Sequence, residues 1–221
     1  MQKREFKDKV YTLMAQLMKA MANPHRLEII ELLGQGERSV EEIAAETNLS
    51  IANASQHLQV LKQSNLVEIK RKGNFILYRI ANDNIYQSWK HFREVGTSNL
   101  AEVEKTLNDF RTEKHSLESV KIDELLSRMK SSSVILLDVR PETEFKAGHI
   151  RGALNVPIRQ LSKRIKELKK SNQYVAYCRG PFCVFADDAV QLLSQKGFVV
   201  KRLEEGFPDW KVRGLPIDTI H

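Results

Sequence analysis

The chain reads as a mixed two-domain protein. Its first half is mainly α, built on a helix-turn-helix with a small β-hairpin wing, and its second half is α/β with a parallel sheet. Three observations predict this. Residues 23–61 carry helix starts at short intervals, with Asn23-Pro24, Ser39 and Ser50 in capping positions. Residues 66–80 hold two alternating runs on either side of Lys72-Gly73-Asn74. From residue 134 onward, short apolar runs alternate with helix-like stretches.

Length and composition set the frame. A chain of 221 residues accommodates two ordinary domains. The longest apolar runs, such as residues 134–137, are far too short to span a bilayer, so no membrane partner is expected. The opening MQKREFKDKV has charge but no apolar stretch, and no secretory signal is read there. The expected location is the cytoplasm, where thiols stay reduced unless they are working. A net charge of +7 suggests nucleic acid, but its distribution weakens the point. Residues 1–115 hold 17 Lys and Arg against 15 Asp and Glu, and residues 116–221 hold 18 against 13. The larger excess lies in the second half, so local clusters carry the case for DNA.

Asn23 is an N-cap with Pro24 at the first helical position. Leu27, Ile30 and Leu33 recur on one face of that helix, and Gly34 ends it. Ser39-Val-Glu-Glu42 has the capping-box form and opens a short helix through Ala45. Thr47-Asn48-Leu49 makes a tight turn, and Ser50 caps the next helix, with Ile51, Ala54, Leu58 and Leu61 on one side. Its outer face carries Ala52, Asn53, Ser55, Gln56 and Gln59, with no long charged residue before Lys62. Asn and Gln bond adenine edges in a bidentate way, and Ser bonds either kind of edge. An ordinary solvated face has the same composition, and on this helix alone both readings stand. The hairpin that follows favours the first. LVEIKR and FILYRI alternate like strands around the turn, and Lys70, Arg71 and Lys72 cluster at or near its tip, with Arg79 on the return strand. Such a tip suits phosphate contacts.

The segments MANPHRLEIIELL and LSIANASQHLQVLKQSNLVEIKRKGNFILYRI resemble the winged helix-turn-helix of the arsenical-resistance-repressor (ArsR) family, over residues 10–95. SQHLQVLKQSNLV (residues 55–67) is the most specific part, and it contains His57. The resemblance implies a homodimer, mostly a repressor, that leaves a double-stranded DNA operator when a ligand binds. It also implies base reading from residues 50–61 and backbone contacts from the wing. Many metal-sensing members carry a Cys-x-Cys pair near the start of the helix before the turn. Here that region is ERSVEEIA (residues 37–44), without cysteine. The spacing of His91 and His115 matches no metal pattern, so neither a metal nor any other cofactor is expected.

Residues 82–114 are polar, yet Ile85, Trp89, Phe92, Val95, Leu100, Val103, Leu107 and Phe110 recur at helix-like intervals. Gly96-Thr97-Ser98-Asn99 is a candidate kink or break. The stripe is open to two readings, burial against the same helix of a second subunit or packing on its own domain. The polar residues 113–119 are the expected linker, dividing domains at 1–112 and 120–221.

In the second half, VILLDV (residues 134–139) is a buried-type strand ending in an acid. Turn residues follow at Gly148 and Gly152, and residues 161–170 read as a helix. YVAYC (residues 174–178) is the next strand, residues 186–195 a helix, and FVVKRL (residues 198–203) another strand. The chain's two cysteines, Cys178 and Cys183, therefore share a strand-to-helix loop. In open α/β sheets the site lies at the carboxyl ends of the strands, where Cys178 falls. A helix N-terminus is expected to lower a thiol below its usual value near ~8.5 and make it nucleophilic.

LLDVRPETEFKAGHIRGALNVP, YCRGPFC and EGFPDWKVRGLPI resemble the rhodanese (sulfurtransferase) domain over residues 118–221. By this resemblance Cys178 carries sulfur as a persulfide under the loop N–H groups, in the loop of Arg179, Gly180, Pro181 and Phe182. Asp138, Arg140, Glu144 and His149 lie in the supporting motif, and Trp210 lines or packs near the pocket. The loop departs from the thiosulfate-using pattern, because Pro181 and Cys183 stand where a Gly and a basic or hydroxyl residue often complete it. A cation for thiosulfate has to come from Arg179 or elsewhere. Val184 occupies the position of the Arg that a phosphatase or arsenate-reductase cradle needs, which removes that reading. Cys183 is open to two roles, a resolving thiol that attacks the persulfide or a small packing residue.

These readings imply a dimeric regulator, a repressor, whose second domain senses or carries reactive sulfur from a sulfane-sulfur or persulfide donor. The alternative is a thiosulfate or persulfide sulfurtransferase with a constitutive DNA-binding domain. An interaction scaffold with a degenerate loop is the third.

Overall fold

The computed structural model describes residues 2–116, 118–130 and 134–220, so Leu117, inside the expected linker, lies outside the described residues. Internal contacts divide the chain into two compact units, Met1–Trp89 and Lys90–His221.

The first unit opens with α1 (Lys3–Met21), α2 (Pro24–Leu33), α3 (Val40–Glu46) and α4 (Ile51–Gln63). The caps read from sequence are made. The Asn23 side chain accepts from Arg26 N at 3.2 Å, Ser39 and Glu42 close a reciprocal capping box, and Ser50 Oγ accepts from Asn53 N at 3.2 Å. Each satisfies a backbone donor that the helix start leaves without a partner. Asn48 takes the left-handed conformation at φ 54°, which turns the chain sharply between α3 and α4. Ile29, Ile30, Leu33, Ile43, Ala54, Leu58 and Leu61 form the core, each side chain of Leu size stabilising by roughly 1.5–3 kcal/mol. Ile51 does not join it. As the first residue of α4 it is 54% exposed, one turn short of where the apolar stripe meets α2. Gly34 ends α2 for a reason of space, since a Cβ there would lie 2.6 Å from the Tyr86 ring. The wing pairs β1 (Val67–Lys72) with β2 (Phe75–Ile80) antiparallel, Lys72 opposite Phe75, around Gly73 at φ +60°. Arg38 bridges to Tyr78 and adds a third edge to the wing.

α5 (Asp83–Asn99) runs without interruption through Gly96, and the break falls at Leu100, before α6 (Ala101–Glu113). No break falls at residues 96–99, where Thr97, Ser98 and Asn99 bond back to carbonyls within the helix. Tyr86 and Trp89 belong to the buried set of the first unit, whereas Phe92, Val95 and Leu100 are exposed.

The second unit holds a five-stranded parallel sheet in the order β3-β8-β7-β4-β6. The strands are β3 (Ser119–Val120), β4 (Ile135–Asp138), β6 (Leu154–Asn155), β7 (Gln173–Tyr177) and β8 (Val199–Leu203), and a small antiparallel pair joins β5 (His149–Ile150) to β9 (Ile217–Asp218). Around them lie α7 (Ile122–Lys130), α8 (Glu142–Ala147), α9 (Ile158–Arg164), α10 (Phe185–Gln195) and α11 (Phe207–Val212). The helix expected at 161–170 begins earlier, just after Pro157, and ends in a 3₁₀ turn at Ile165–Glu167. The sheet is buried on both faces. Leu137, Ala176, Ala189 and Leu193 pack on one side, and Leu136, Val175, Leu203, Phe207 and Trp210 on the other.

Candidate functional site

The DNA-reading candidates lie where the helix-turn-helix puts them. Ala52, Asn53, Gln56 and Gln59 are exposed on α4, opposite Ala54, Leu58 and Leu61. Ser50 is exposed at the cap, with its oxygen already accepting from the backbone. Ser55 and His57 are half-buried. His57 sits beside His25, with ring centroids 5.4 Å apart. Burial, then the nearby His25 and Arg26, hold it below its usual range. In the wing, Lys70 is tied to Glu37 at 2.6 Å, and Arg79 pairs with Glu68. Arg71 and Lys72 are exposed at the tip.

The cysteine loop is built from the carboxyl end of β7. Cys178 is the first residue after the strand, which ends at Tyr177 and not at Cys178 as expected, and it is 4% exposed among core residues. Gly180 to Cys183 is a tight turn closed by Cys183 N donating to Gly180 O at 3.1 Å, with Pro181 and Phe182 as its central residues. This turn folds the sulfurs together. Cys178 Sγ lies 3.4 Å from the Cys183 carbonyl oxygen and 3.8 Å from that of Gly180. Both cysteines are free. Backbone N–H groups of Gly180 and Ala186 favour charge on the Cys178 sulfur, and those of Arg179 and Phe185 favour it on Cys183.

The expected lowering of the Cys178 thiol is not met. Burial, and then the hydrogen bond it gives Cys183, hold the Cys178 thiol well above the usual range. That bond, against the effect of burial, and the N–H groups around it hold Cys183 below. The helix N-terminus does favour a thiolate here, but a buried sulfur beside a second sulfur keeps its proton, and the more acidic member of the pair is Cys183.

The supporting residues form a scaffold behind the loop. Asp138 and Arg140 are fully buried and joined at 2.6 Å, with Arg140 also donating to Gly148 O at 2.8 Å and lying 4.3 Å from the Phe207 ring centroid. Burial alone lowers Arg140, but Asp138 outweighs it and holds the guanidinium above its ordinary range. Glu144 binds Arg179 through both carboxylate oxygens at 2.6–3.2 Å, and Arg179 lies over the Phe185 ring. The cation expected for thiosulfate is thus held away in a nearly buried pair. His149 stacks on Phe145 at 3.6 Å and bonds its carbonyl through Nδ1. Trp210 is core, 1% exposed, with Nε1 donating to Pro216 O at 2.9 Å.

Several residues at the loop escape a reading of sequence. Gly206 backs onto Arg179 and Gly180 so closely that a Cβ would lie 2.2 Å from the Arg179 carbonyl oxygen. Phe207 N donates to Cys178 O at 3.1 Å. From α6, Arg111 donates to Pro181 O at 2.7 Å, and Ser116 Oγ donates to the buried Asp187 at 2.7 Å. Arg93 of α5 joins Asp209 at 2.7 Å. Only Gly206 had a signal, a glycine immediately before the Phe-Pro start of a helix within a quoted motif. The arginine contacts join residues about as far apart as a small domain is long, and no local pattern marks them.

Two family profiles match this chain, a helix-turn-helix domain over residues 21–70 and a rhodanese-like domain over residues 121–213. The HTH-type transcriptional regulator Rv0324 of Mycobacterium tuberculosis is 42% identical over 204 residues, covering 92% of this chain and 89% of that protein. Among solved structures, the homodimeric winged helix-turn-helix DNA-binding domain of Mb0332 from Mycobacterium bovis is 38% identical, covers 45% of this chain and 91% of that one, and has a TM-score of 0.42. A rhodanese-related protein from Thermoplasma volcanium is 29% identical, covers 46% of this chain and 97% of that one, with a TM-score of 0.42.

Proposed function

This chain belongs to the HTH-type transcriptional regulators in which a helix-turn-helix domain precedes a rhodanese-like domain, and we propose that it is a repressor whose DNA affinity is set by reactive sulfur at Cys178 and Cys183. It acts as a homodimer on a double-stranded operator. Exposed apolar side chains on α1, including Phe6, Tyr11, Met14 and Met18, support a partner for that helix. Base reading falls to Asn53, Ser55, Gln56 and Gln59, and phosphate contact to Arg71 and Lys72.

The observation that carries the sulfur reading is the dithiol itself. Two sulfurs share one hydrogen bond under converging backbone N–H groups, while the loop's only cation is held by Glu144. Such a cradle suits a persulfide better than a sulfur oxyanion, which needs a free cation. The donor is an organic persulfide, R–S–SH. Cys178 attacks the sulfane sulfur and passes its proton to the Cys183 thiolate. The donor's S–S bond breaks, R–S⁻ leaves, and Cys178–S–SH remains. R–S⁻ takes the proton from Cys183 and departs as R–SH. Cys183 thiolate then attacks the Cys178 sulfur and releases HS⁻, leaving a Cys178–Cys183 disulfide. Two thiols are oxidised and one sulfane sulfur is reduced to sulfide.

The test is binding to the DNA upstream of the chain's own gene at fixed salt. Reduced protein, protein treated with an organic persulfide, and a Cys178→Ser variant are compared. Weakening by about ten-fold or more in treated wild type alone supports the reading, a coupling of ~1.4 kcal/mol. Equal binding in all three defeats it, and turnover with a sulfur acceptor then identifies a sulfurtransferase with a constitutive DNA-binding domain.

A further inference from the structure

We propose that Arg111 of α6 is the positioning residue through which the state of the cysteine loop reaches α5 and α6, so that bridging of Cys178 to Cys183 alters DNA affinity by releasing Arg111 from the Pro181 carbonyl. The inference rests on the sulfur-responsive reading above and adds its route.

The Arg111 bond falls at a telling place. In the turn from Gly180 to Cys183, the Pro181 carbonyl belongs to the central peptide, between the two corner residues. That peptide swings most when a turn is tightened or changes type. Arg111 donates to it at 2.7 Å from a side chain only 12% exposed. The same end of α6 grips the first turn of the helix that follows the loop. Arg111 Nε lies 3.7 Å from Asp187, Ser116 Oγ donates to Asp187, and Lys114 pairs with Asp188 at 2.8 Å. The loop and the start of α10 are thus held from one short stretch of chain.

Bridging must disturb this grip. A disulfide fixes its sulfurs at ~2.05 Å with a Cβ···Cβ separation of ~3.5–4.5 Å, a covalent geometry that two free thiols do not hold. Cys178, directly after β7, is anchored by its place in the core, and its carbonyl is held by Phe207 N. Cys183 is only partly buried, so Cys183 and the turn do the moving. Space exists for the response. A cavity of about 670 Å³ is lined by Pro181, Arg111, Leu107, Asn108, Arg93 and Arg202, among others, and a released Arg111 guanidinium has room to swing into it. Asp187 does not keep Arg111 for itself, since Arg202 Nε stands 3.4 Å from the same carboxylate oxygen.

The route onward is along the chain, through two successive helices that meet at Leu100. α6 follows α5 across a single non-helical residue, Leu100, and α5 runs unbroken from Asp83, where Tyr86 and Trp89 are part of the buried core of the winged unit.

The test uses the full chain and glutathione persulfide as the probe. Intact mass without reductant reports whether the bridge has formed, and binding to the chain's own upstream DNA reports the output. Wild type should bridge and bind about ten-fold more weakly. Arg111→Ala should bridge to the same end point yet change its DNA affinity by less than about two-fold, the loss of most of the coupling. Arg111→Lys should respond partially, because an ammonium reaches one partner where the guanidinium fork reaches two. Should Arg111→Ala lose its fold, Arg111→Met keeps the packed stem and deletes only the guanidinium. An Arg111→Ala or Arg111→Met protein that bridges and releases DNA as fully as wild type overturns the route. Wild type that bridges and keeps its DNA affinity overturns the sulfur-responsive reading instead, and the route with it.

Discussion

Gly206→Ala should damage the second unit more than the same change at Gly148, Gly152, Gly197 or Gly214. The new Cβ would lie 2.2 Å from Arg179 O, 2.3 Å from Arg179 C and 2.4 Å from Gly180 N. Ordinary carbon–oxygen contact is about 3.3 Å, so the two backbones must part by roughly 1 Å. Neither side yields freely. Gly206 N is held by Asp209 Oδ2 at 3.0 Å, and the next residue donates to Cys178 O at 3.1 Å. The penalty is purely steric, since φ −110° and ψ −178° at Gly206 are open to any residue. Overpacking of about 1–3 kcal/mol, with one backbone hydrogen bond worth about 1 kcal/mol weakened, comes to roughly 2–4 kcal/mol. The thermal transition of the second unit should fall by on the order of 10 °C, read by calorimetry on the full chain. Cys178, pushed from its pocket, should label faster with a thiol reagent. A variant that melts within about 2 °C of wild type and labels at the same rate would show that this approach is looser than its distances state.

Other consequences can be checked directly. Asp138→Ala leaves Arg140 buried without its carboxylate and should cost about 3–5 kcal/mol in unfolding free energy by urea titration, whereas the Asp138→Leu, Arg140→Met pair should cost less. Equal losses in the two would mean that the ion pair is not what the single change breaks. Arg71→Ala with Lys72→Ala should weaken binding evenly across DNA sequences and reduce the slope of log affinity against log salt by about 2, and an unchanged slope would remove the wing tip from the phosphate contacts. His57, held below its usual 6.5, takes its proton at lower pH in the folded chain than in the unfolded one. Its contribution is therefore complete above 6.5 and lost as pH falls through the folded value. The winged unit should melt lower at about pH 5.5 than at about pH 7.5, and His57→Gln should narrow the gap, while an unaltered gap would assign the pH dependence to other groups.

Much of this molecule is local and therefore legible in one dimension. Asn23, Ser39 and Ser50 cap their helices because a side-chain oxygen a few residues from a free N–H finds it whatever the rest of the chain does. The wing turn, the apolar stripe of α4 and the strand-to-loop placement of Cys178 follow from short-range periodicity in the same way. The helix break falls at Leu100 and not within residues 96–99, because one glycine costs a helix only about 1 kcal/mol and does not by itself end it. What tertiary structure alone decided concerns charge. Sequence places an arginine in the cysteine loop, but only the fold brings Glu144 against it and removes it as an anion site. A helix N-terminus favours a thiolate on Cys178, but burial and the sulfur of Cys183 shift the proton the other way. The grip of Arg111 on Pro181 joins chain segments that no periodicity links. Electrostatic energies depend on burial and on which charges lie within a few ångströms, and both are properties of the folded chain.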